Sequence, residues 1–340
     1  MYYLITNNKE FGTGEIFSRA NPLFNNIQKI SVEKSLELLS QYDVLGFDTE
    51  TTGLNCFKDK IIMLQLGTFI DQFVIDCTTV NIQLYKHILE NKNILKIGAN
   101  LKFDIQFLYA NNIIIDNVYD VLLAEYVLYN GLNQERLKTI YLKYCTDFKL
   151  PQELLKKYLR KATNGWYSLF SLVYEYCGVV LDKEIRNRIS TNLSNETIEY
   201  AAKDVKYLSS IRLEQLNKAK ETNCLTAINL ENKFVRVLAY VEFCGLKVSR
   251  QRWLALYQQN LNKQQELLTK LNKWIWDNNI SRYKDVQYDL FNTEDNYNTT
   301  INWNSPAQLI NLLTYLQFDL RDKHGKVTTD DEILSKYKGN

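Results

Sequence analysis

The feature that most restricts how this chain can fold is an apolar segment that runs directly into two acidic residues. In the sequence VLGFDTETTGL, at 44–54, a buried strand is predicted to give way to a turn just after Asp48 and Glu50. Residues at i and i+2 of a strand project from the same face, so the two carboxylates lie side by side. A divalent cation would relieve their repulsion, and hard oxygen ligands favour Mg²⁺ or Mn²⁺. The D-x-E spacing recurs at 182/184 and 330/332, but without the preceding apolar strand.

Short apolar runs and helical patterns alternate through the first half of the chain, which predicts an α/β domain. Strands are predicted at 43–47, 61–67, 72–75 and 94–98. Helices are predicted at 32–39, 82–89, 101–109, 118–129 and, as one long helix, 195–220. The acidic strand is the first strand of this alternating pattern.

The second half of the chain is predicted to be mainly helical. Helical segments are predicted through 242, over 249–278, from Ser305-Pro306 and from 329–332. Gly245 breaks the pattern, and 278–300 is polar and acidic without periodicity, which indicates a loop or linker. At roughly 100 to 200 residues per domain, a chain of 340 residues forms two domains or one large domain with an appendage.

Two further segments pair a carboxylate with a polar side chain four residues earlier. Asn100 and Asp104 lie where a predicted strand runs into a helix, and they share one helical face. Tyr200 and Asp204 share a face of the long helix, and the two alanines after Tyr200 would let this helix pack close to a sheet. Taken singly, each pattern is more often structural than functional.

Composition excludes several kinds of chemistry. With two histidines and no G-x-S-x-G segment, Ser-His and Cys-His nucleophilic catalysis have little to build on. The six cysteines show no C-x-x-C pair, which argues against a zinc site or a disulfide framework and predicts reduced cysteines in the core. Catalysis must therefore depend on carboxylates, hydroxyls or metal ions.

Charge and hydropathy limit where the chain acts and what it binds. A net charge of +2 gives no global attraction to nucleic acid, so any phosphate-facing surface has to be local. The stretch 135–161, with eight Lys or Arg against three acidic residues, is the best candidate, and a solvated helix face explains it equally well. The N-terminus lacks a signal-peptide pattern and no apolar run reaches membrane-spanning length, which predicts a cytoplasmic protein with no membrane partner.

Together and in this order, the three acidic motifs resemble the DEDD superfamily of 3′-5′ exonucleases, in the subgroup with tyrosine in the third motif. The matching text is DTETTGL at 48–54, NLKFD at 100–104 and YAAKD at 200–204. The resemblance extends over about 42–216. It implies an RNase H-like fold, in which a mixed sheet carries helices on both faces.

The resemblance also implies roles for individual residues. Asp48, Glu50 and Asp204 would hold one divalent metal ion, Mg²⁺ or Mn²⁺, and Asp48 and Asp104 would hold a second. Glu50 and Tyr200 would orient the attacking water. Five further residues would contact the 3′-terminal nucleotides of the substrate: Thr51, Leu54, Asn100, Phe103 and Arg186. Ala99 departs from the family pattern, because many members have histidine at this position.

Residues from about 223 onward resemble the start of the polymerase module in family A DNA polymerases, the bacterial DNA polymerase I type. The matching text is VLAYVEFCGLKVSR at 237–250, INWNSPAQL at 301–309 and TDDEIL at 329–334. The motifs of the polymerase centre are absent from the sequence, so no DNA synthesis is expected. The resemblance predicts an exonuclease domain at 1–221, with an N-terminal extension at 1–41, and a smaller, mainly helical region at 222–340 that is similar to the beginning of a thumb.

The leading hypothesis is a metal-dependent 3′-5′ exonuclease that degrades single-stranded or frayed 3′ ends of DNA in a proofreading role. Two alternatives stay open. One is 3′ trimming of RNA, as in the similar RNase D group, and the other is a subunit that docks a separate polymerase chain or DNA. The Asn- and Lys-rich composition favours a bacteriophage or AT-rich bacterial source, which would place the protein in a bacterial cytoplasm.

Overall fold

A computed structural model describes residues 1–8, 27–181, 194–284 and 297–338 of the chain. The chain forms two compact units, Met1–Gly245 and Leu246–Asn340. The first unit contains a β-sheet and all of the described candidate site residues. The predicted domain limit at 221/222 falls inside this first unit, between two helices.

A seven-stranded sheet forms the centre of the first unit, in the spatial order β2-β1-β5-β4-β3-β6-β7. The strands are β1 Tyr2–Ile5, β2 Ile27–Lys29, β3 Val44–Thr51, β4 Ile61–Gly67, β5 Gln72–Asp76, β6 Leu95–Gly98 and β7 Val118–Asp120. Strand β4 runs antiparallel to its neighbours β3 and β5, and every other pairing is parallel. The sheet is therefore mixed, and the acidic strand β3 lies near its middle.

Helices cover both faces of this sheet. The helices of the first unit are α1 Val32–Leu39, α2 Lys86–Leu89, α3 Leu101–Ala110, α4 Val121–Leu128, α5 Asn133–Asp147, α6 Gln152–Ala162, α7 Leu169–Cys177, α8 Asn195–Lys206, α9 Leu208–Glu221 and α10 Leu225–Cys244. On one face, Leu45 and Phe47 of β3 pack in a core with side chains of α3 and α10. On the other face, Met63 and Val74 pack against the α8 side chains Ile198, Ala201 and Ala202. This architecture confirms the predicted α/β, RNase H-like fold.

Two sequence predictions in the first unit are wrong in detail. Residues 118–120 form the edge strand β7 rather than the start of a helix, because their backbone pairs with β6 and Asp120 then caps the helix that follows. The single long helix predicted at 195–220 is divided at Tyr207 into α8 and α9.

The prediction that the cysteines lie in the core is correct for Cys145, which is buried, and wrong for Cys244, which is exposed. The other four cysteines are partly buried. All six cysteines are free, as predicted.

The second unit is mainly helical in its described part. Its helices are α11 Arg250–Asp277, α12 Pro306–Tyr315 and α13 Asp331–Leu334. Ser305 caps α12 by accepting a hydrogen bond from the Gln308 N–H, with proline in the first turn, as the sequence predicts. A small core gathers Ile275, Ile280, Tyr283, Ile301 and Leu312. Among the described helices, none has the length and apolar character needed to cross a membrane.

Candidate active site

Three carboxylates from two elements meet at one end of β3. Asp48 and Glu50 are half-buried on this strand, and the nearly buried Asp204 comes from α8. One carboxylate oxygen from each lies within 4.8 Å of the others. Oxygen donors gathered this closely are the ligand set that a hard divalent cation prefers, so the donors fit Mg²⁺ or Mn²⁺.

Asp204 reaches the strand because α8 packs unusually close to the sheet. Ala201 and Ala202 are fully buried against it, as the sequence pattern indicates. At Gly46 the approach is closest, since an added Cβ would lie 2.5 Å from the Val205 carbonyl oxygen. Only glycine at 46 leaves room for the helix backbone at this position.

Asp104 enters the site from the opposite face of β3. It lies on α3, is 3% exposed, and its Oδ1 accepts hydrogen bonds from the Thr49 N–H (3.2 Å) and from the Thr49 hydroxyl (2.5 Å). Burial raises the pKa of Asp104 to about 7, the hydrogen bonds from Thr49 oppose this shift, and the nearby Asp120 adds to it. Asp104 lines the same cleft as Asp48 and Glu50, although it is not part of the three-carboxylate group.

A cleft of about 530 Å³ opens above these carboxylates. Of the residues predicted from sequence, it is lined by Asp48, Glu50, Asn100, Phe103, Asp104, Tyr200 and Asp204. Thr51 and Leu54 follow at the end of β3 and in its loop, outside the lining, and the Leu54 side chain is 87% exposed. Arg186 lies outside the described residues. The structure therefore brings together all five predicted catalytic residues and two of the five predicted substrate contacts.

Asp120 is a buried residue of this region that the sequence motifs did not single out. Its carboxylate accepts hydrogen bonds from the Asn100 and Leu101 N–H groups at 3.2 and 2.7 Å, and so holds the start of α3. It also caps α4 through the Leu122 and Leu123 N–H groups. Burial raises the pKa of Asp120, and these backbone hydrogen bonds oppose the shift. Its signal in the sequence is the acidic residue directly before an apolar helical run.

Asn100 itself adopts the left-handed conformation, with φ of 64°. Asparagine tolerates this region better than most residues, and Asp120 fixes the backbone on its C-terminal side. Such conformations cost free energy and persist where the surroundings over-determine them, often at functional sites. The exposed Asn100 side chain is thereby held in a fixed place at the edge of the cleft.

Trp166 is a second residue that the sequence motifs missed. Its side chain is 73% exposed, an unusual exposure for a large aromatic group, and it lines the cleft beside Tyr126. Both side chains also line a neighbouring groove of about 500 Å³, which extends over the first turn of α5. Trp166 therefore stands where the cleft continues into the groove. No sequence pattern marks this role, because a single tryptophan in a polar loop has no periodicity.

The basic stretch predicted to face phosphate forms α5 and α6. Arg136, its first cation, is 17% exposed and pairs with Glu175 at 2.9 Å. Its guanidinium group therefore contributes to the fold and is not part of an exposed basic surface. At the other end, Arg160 and Lys161 in the last turn of α6 are exposed. A contact of this stretch with phosphate stays a prediction.

The sequence model of a family described as 3′-5′ exonuclease matches residues 27–219, more than half of the chain. DNA polymerase I of Aquifex aeolicus (strain VF5) is 25% identical over 316 residues, which cover 90% of this chain and 46% of the relative. The chain thus spans slightly less than half the length of this curated relative.

Solved structures from three organisms have partial backbone similarity to this chain. The catalytic core of RRP6 from Trypanosoma brucei has a TM-score of 0.47 and 16% identity, over 69% of this chain and 51% of that one. Brucella melitensis NrnC bound to pGG has a TM-score of 0.45 and 19% identity, over 60% and 87% of the two chains. Escherichia coli RNase D has a TM-score of 0.46 and 18% identity, over 61% of this chain and 48% of that one.

Proposed function

The chain belongs to the 3′-5′ exonuclease family of the DNA polymerase A type, and from this premise we propose that it removes nucleotides one at a time from single-stranded or frayed 3′ ends of DNA, in a proofreading role. The observation that supports this most directly is the three-carboxylate group of Asp48, Glu50 and Asp204 on the floor of the cleft. The family domain is a phosphodiester hydrolase, and these carboxylates supply oxygen ligands for the divalent cations that such hydrolysis uses.

The proposal assigns a cofactor to these carboxylates. Asp48, Glu50 and Asp204 would hold one divalent cation, and Asp48 together with Asp104 would hold a second. Bound cations of this kind lower the pKa of water and stabilise the entering and leaving oxygens at a phosphodiester. Mg²⁺ and Mn²⁺ both suit all-oxygen donors, so the proposal covers either metal.

The remaining side chains of the cleft orient the reactants. Glu50 and Tyr200, which line the cleft with Asp204, would hold the attacking water by hydrogen bonds. Asn100 and Phe103 line the other wall, where a terminal sugar and base would lie. The cleft has the size of pockets that take small ligands, about 300–1,000 Å³, so it is large enough for a single terminal nucleotide.

The proposal is tested with a 5′-labelled single-stranded DNA oligonucleotide and the full chain. We expect Mg²⁺ or Mn²⁺ to produce a ladder of products shortened from the 3′ end, and EDTA to abolish it. Asp48→Ala should be inactive. The matched control is Asp330→Ala, which removes an exposed aspartate from a D-x-E pair outside the site and should behave as wild type. Equal activity of Asp48→Ala and wild type would overturn the proposal.

Two further substrates test the finer parts of the proposal. A primer with a mispaired 3′ terminus should be degraded faster than a paired primer, because a terminal nucleotide has to leave its partner strand before it can enter the cleft. A matched RNA oligonucleotide should be degraded more slowly than DNA. Faster degradation of RNA would replace the DNA proposal by RNA trimming, and equal rates on paired and mispaired primers would exclude proofreading.

A further inference from the structure

Gln65 is a fully buried polar residue at the centre of the sheet, and its amide is unpaired. The side chain is 0% exposed, and neither Nε2 nor Oε1 has a hydrogen-bond partner among the residues that the structure describes. A glutamine amide offers two donor hydrogens and an acceptor oxygen. Buried polar groups are normally satisfied, so an unpaired amide at this depth requires an explanation.

The strand register places Gln65 beside the candidate metal site. On β4, Gln65 lies directly opposite Asp48 of β3, and on its other side opposite Val74 of β5. Residues opposite each other in an antiparallel pair share one face, with Cβ atoms about 4.5–5.5 Å apart. This is the face that α8 covers and from which Asp204 approaches Asp48.

Two of the nearest neighbours of Gln65 on this face are apolar. Met63, two residues earlier on β4, and Val74 across the strand pair both belong to the core beneath α8. A methionine or leucine at 65 would fill the same space without leaving polar atoms unpaired. Asp48 is the polar residue directly opposite Gln65, whereas Glu50, Gln72 and Asp76 lie at diagonal positions. Of the diagonal residues, Asp76 already accepts hydrogen bonds from threonine hydroxyl groups.

Gln72 provides a comparison within the same sheet face. It lies on β5, is 1% exposed, and its amide donates a hydrogen bond to the Thr68 carbonyl oxygen. Gln72 is opposite Gly67 in the register and so is separated from Asp48. Its amide has a structural partner, whereas that of Gln65 has none within the described part of the chain.

We infer that Gln65 is a positioning residue for the metal site: its amide N–H donates to the Asp48 carboxylate when a cation is bound and fixes the orientation of that ligand. The inference rests on the proposed function, since it needs Asp48 to be a metal ligand. Groups that orient metal ligands in this way commonly contribute 10- to 100-fold to metal affinity.

The test measures Mn²⁺ binding to the full chain by calorimetry, without nucleic acid, for wild type, Gln65→Met and Gln72→Met. Gln65→Met should bind Mn²⁺ about 10- to 100-fold more weakly. Its metal-free urea midpoint should equal or exceed that of wild type, because the unpaired amide is gone. Gln72→Met should show the reverse: a lower midpoint, since the Thr68 carbonyl loses its donor, and unchanged Mn²⁺ affinity.

Three other results would contradict the inference, and they separate it from the proposed function. Wild-type Mn²⁺ affinity in Gln65→Met, or in a second variant, Gln65→Leu, would overturn the inference and leave the proposed function intact. A metal-free midpoint of both variants below that of wild type, or failure of both to fold, would also overturn it, since the amide would then have a structural partner. Absence of Mn²⁺ binding by wild type would contradict the proposed function and the inference together.

Discussion

Tyr200 and Asp204 lie one helical turn apart on α8 and line the same cleft, yet we expect their removal to have different consequences. Tyr200→Phe removes one hydroxyl, and a single hydrogen bond is worth about 1 kcal/mol, so kcat should fall roughly fivefold. Asp204→Ala removes a proposed metal ligand, and metal ions supply several kcal/mol of transition-state stabilisation, so kcat should fall about 100-fold or more.

Single-turnover rates at saturating metal would measure this difference. Circular dichroism and urea midpoints of both variants are the necessary controls, because Asp204 is nearly buried and its loss could disturb α8. A larger loss in Tyr200→Phe than in Asp204→Ala would contradict the assignment and indicate that the phenol takes part in the chemistry.

Trp166 is expected to act on substrate binding rather than on the chemical step. Its exposed ring stands where the cleft meets the neighbouring groove, and stacking of a base on an aromatic ring contributes about 1–3 kcal/mol. Trp166→Ala should therefore raise KM for a single-stranded oligonucleotide by roughly 5- to 100-fold with little change in kcat. The KM of Trp166→Phe should lie between those of wild type and Trp166→Ala.

Steady-state kinetics of Trp166→Ala would be compared with those of Trp253→Ala, which removes a tryptophan that is 63% exposed from the second unit. An unchanged KM in Trp166→Ala would mean that the strand leaves the cleft by another route. A fall in kcat alone would assign the tryptophan to the reacting end.

At the residue scale, candidate site residues can be predicted from the sequence only where neighbours along the chain mark them. Asp48 and Glu50 follow an apolar run, and the other acids follow in a recognisable order, so five catalytic residues could be proposed from the sequence. Gln65 has no such mark, because its relation to Asp48 exists only in the strand register. Trp166 gains its position from the loop after α6, and no local pattern encodes that loop.

At the element scale, strongly patterned segments could be predicted, whereas the two short strands at one side of the sheet could not. The apolar runs of β4 and β6 and the helix α1 lie within one residue of their predicted limits. Strands β1 and β2 were missed, since three or four residues carry no reliable period, and their pairing partners are distant in sequence. The division at Tyr207 was missed because apolar residues continue at helical spacing across it.

The close contact between β3 and α8 predicts a specific effect of Gly46→Ala. The added methyl group would lie 2.5 Å from the Val205 carbonyl oxygen, so α8 must shift outward and carry Asp204 away from Asp48. Overpacking of this kind costs about 1–3 kcal/mol of stability. A misplacement of about 1 Å can reduce catalysis 100-fold, so we expect a roughly 10- to 100-fold loss of activity under conditions where the variant is folded.

Gly67→Ala is the matched control for this change. Its added methyl group would also clash with backbone, at 2.8 Å from the Asp71 carbonyl oxygen, but in the turn between β4 and β5 rather than at α8. Activity and urea midpoint would be measured for both variants. If the loss of activity relative to the loss of stability were the same in Gly46→Ala and Gly67→Ala, the close approach of α8 would have no special role in the site.

At the scale of the whole molecule, α10 belongs physically to the sheet-containing unit. Its buried side chains Ile228, Val235 and Ala239 complete the core. The Asn232 side-chain oxygen accepts a hydrogen bond from the Asp120 N–H at 2.5 Å, and Glu242 pairs with Lys102 of α3 at 2.7 Å. The family match ends at 219, so sequence similarity alone places the end of the domain before this helix.

These contacts predict how truncated chains will behave. A chain ending at Gly245 should fold cooperatively and keep the proposed nuclease activity, because the first compact unit is then complete. A chain ending at Glu221 loses three buried apolar side chains, roughly 5 kcal/mol, which is comparable with the whole net stability of a typical domain. It also leaves Asp120 without the partner of its N–H group, and Asp120 holds the start of α3, which carries Asp104.

Thermal unfolding and oligonucleotide degradation would be compared for both chains, with Asn232→Ala in the longer one to isolate the contact to Asp120. If the chain ending at Glu221 matched the longer one in melting temperature and activity, α10 would be dispensable, and the limit predicted at 221/222 would describe the domain better than its packing does.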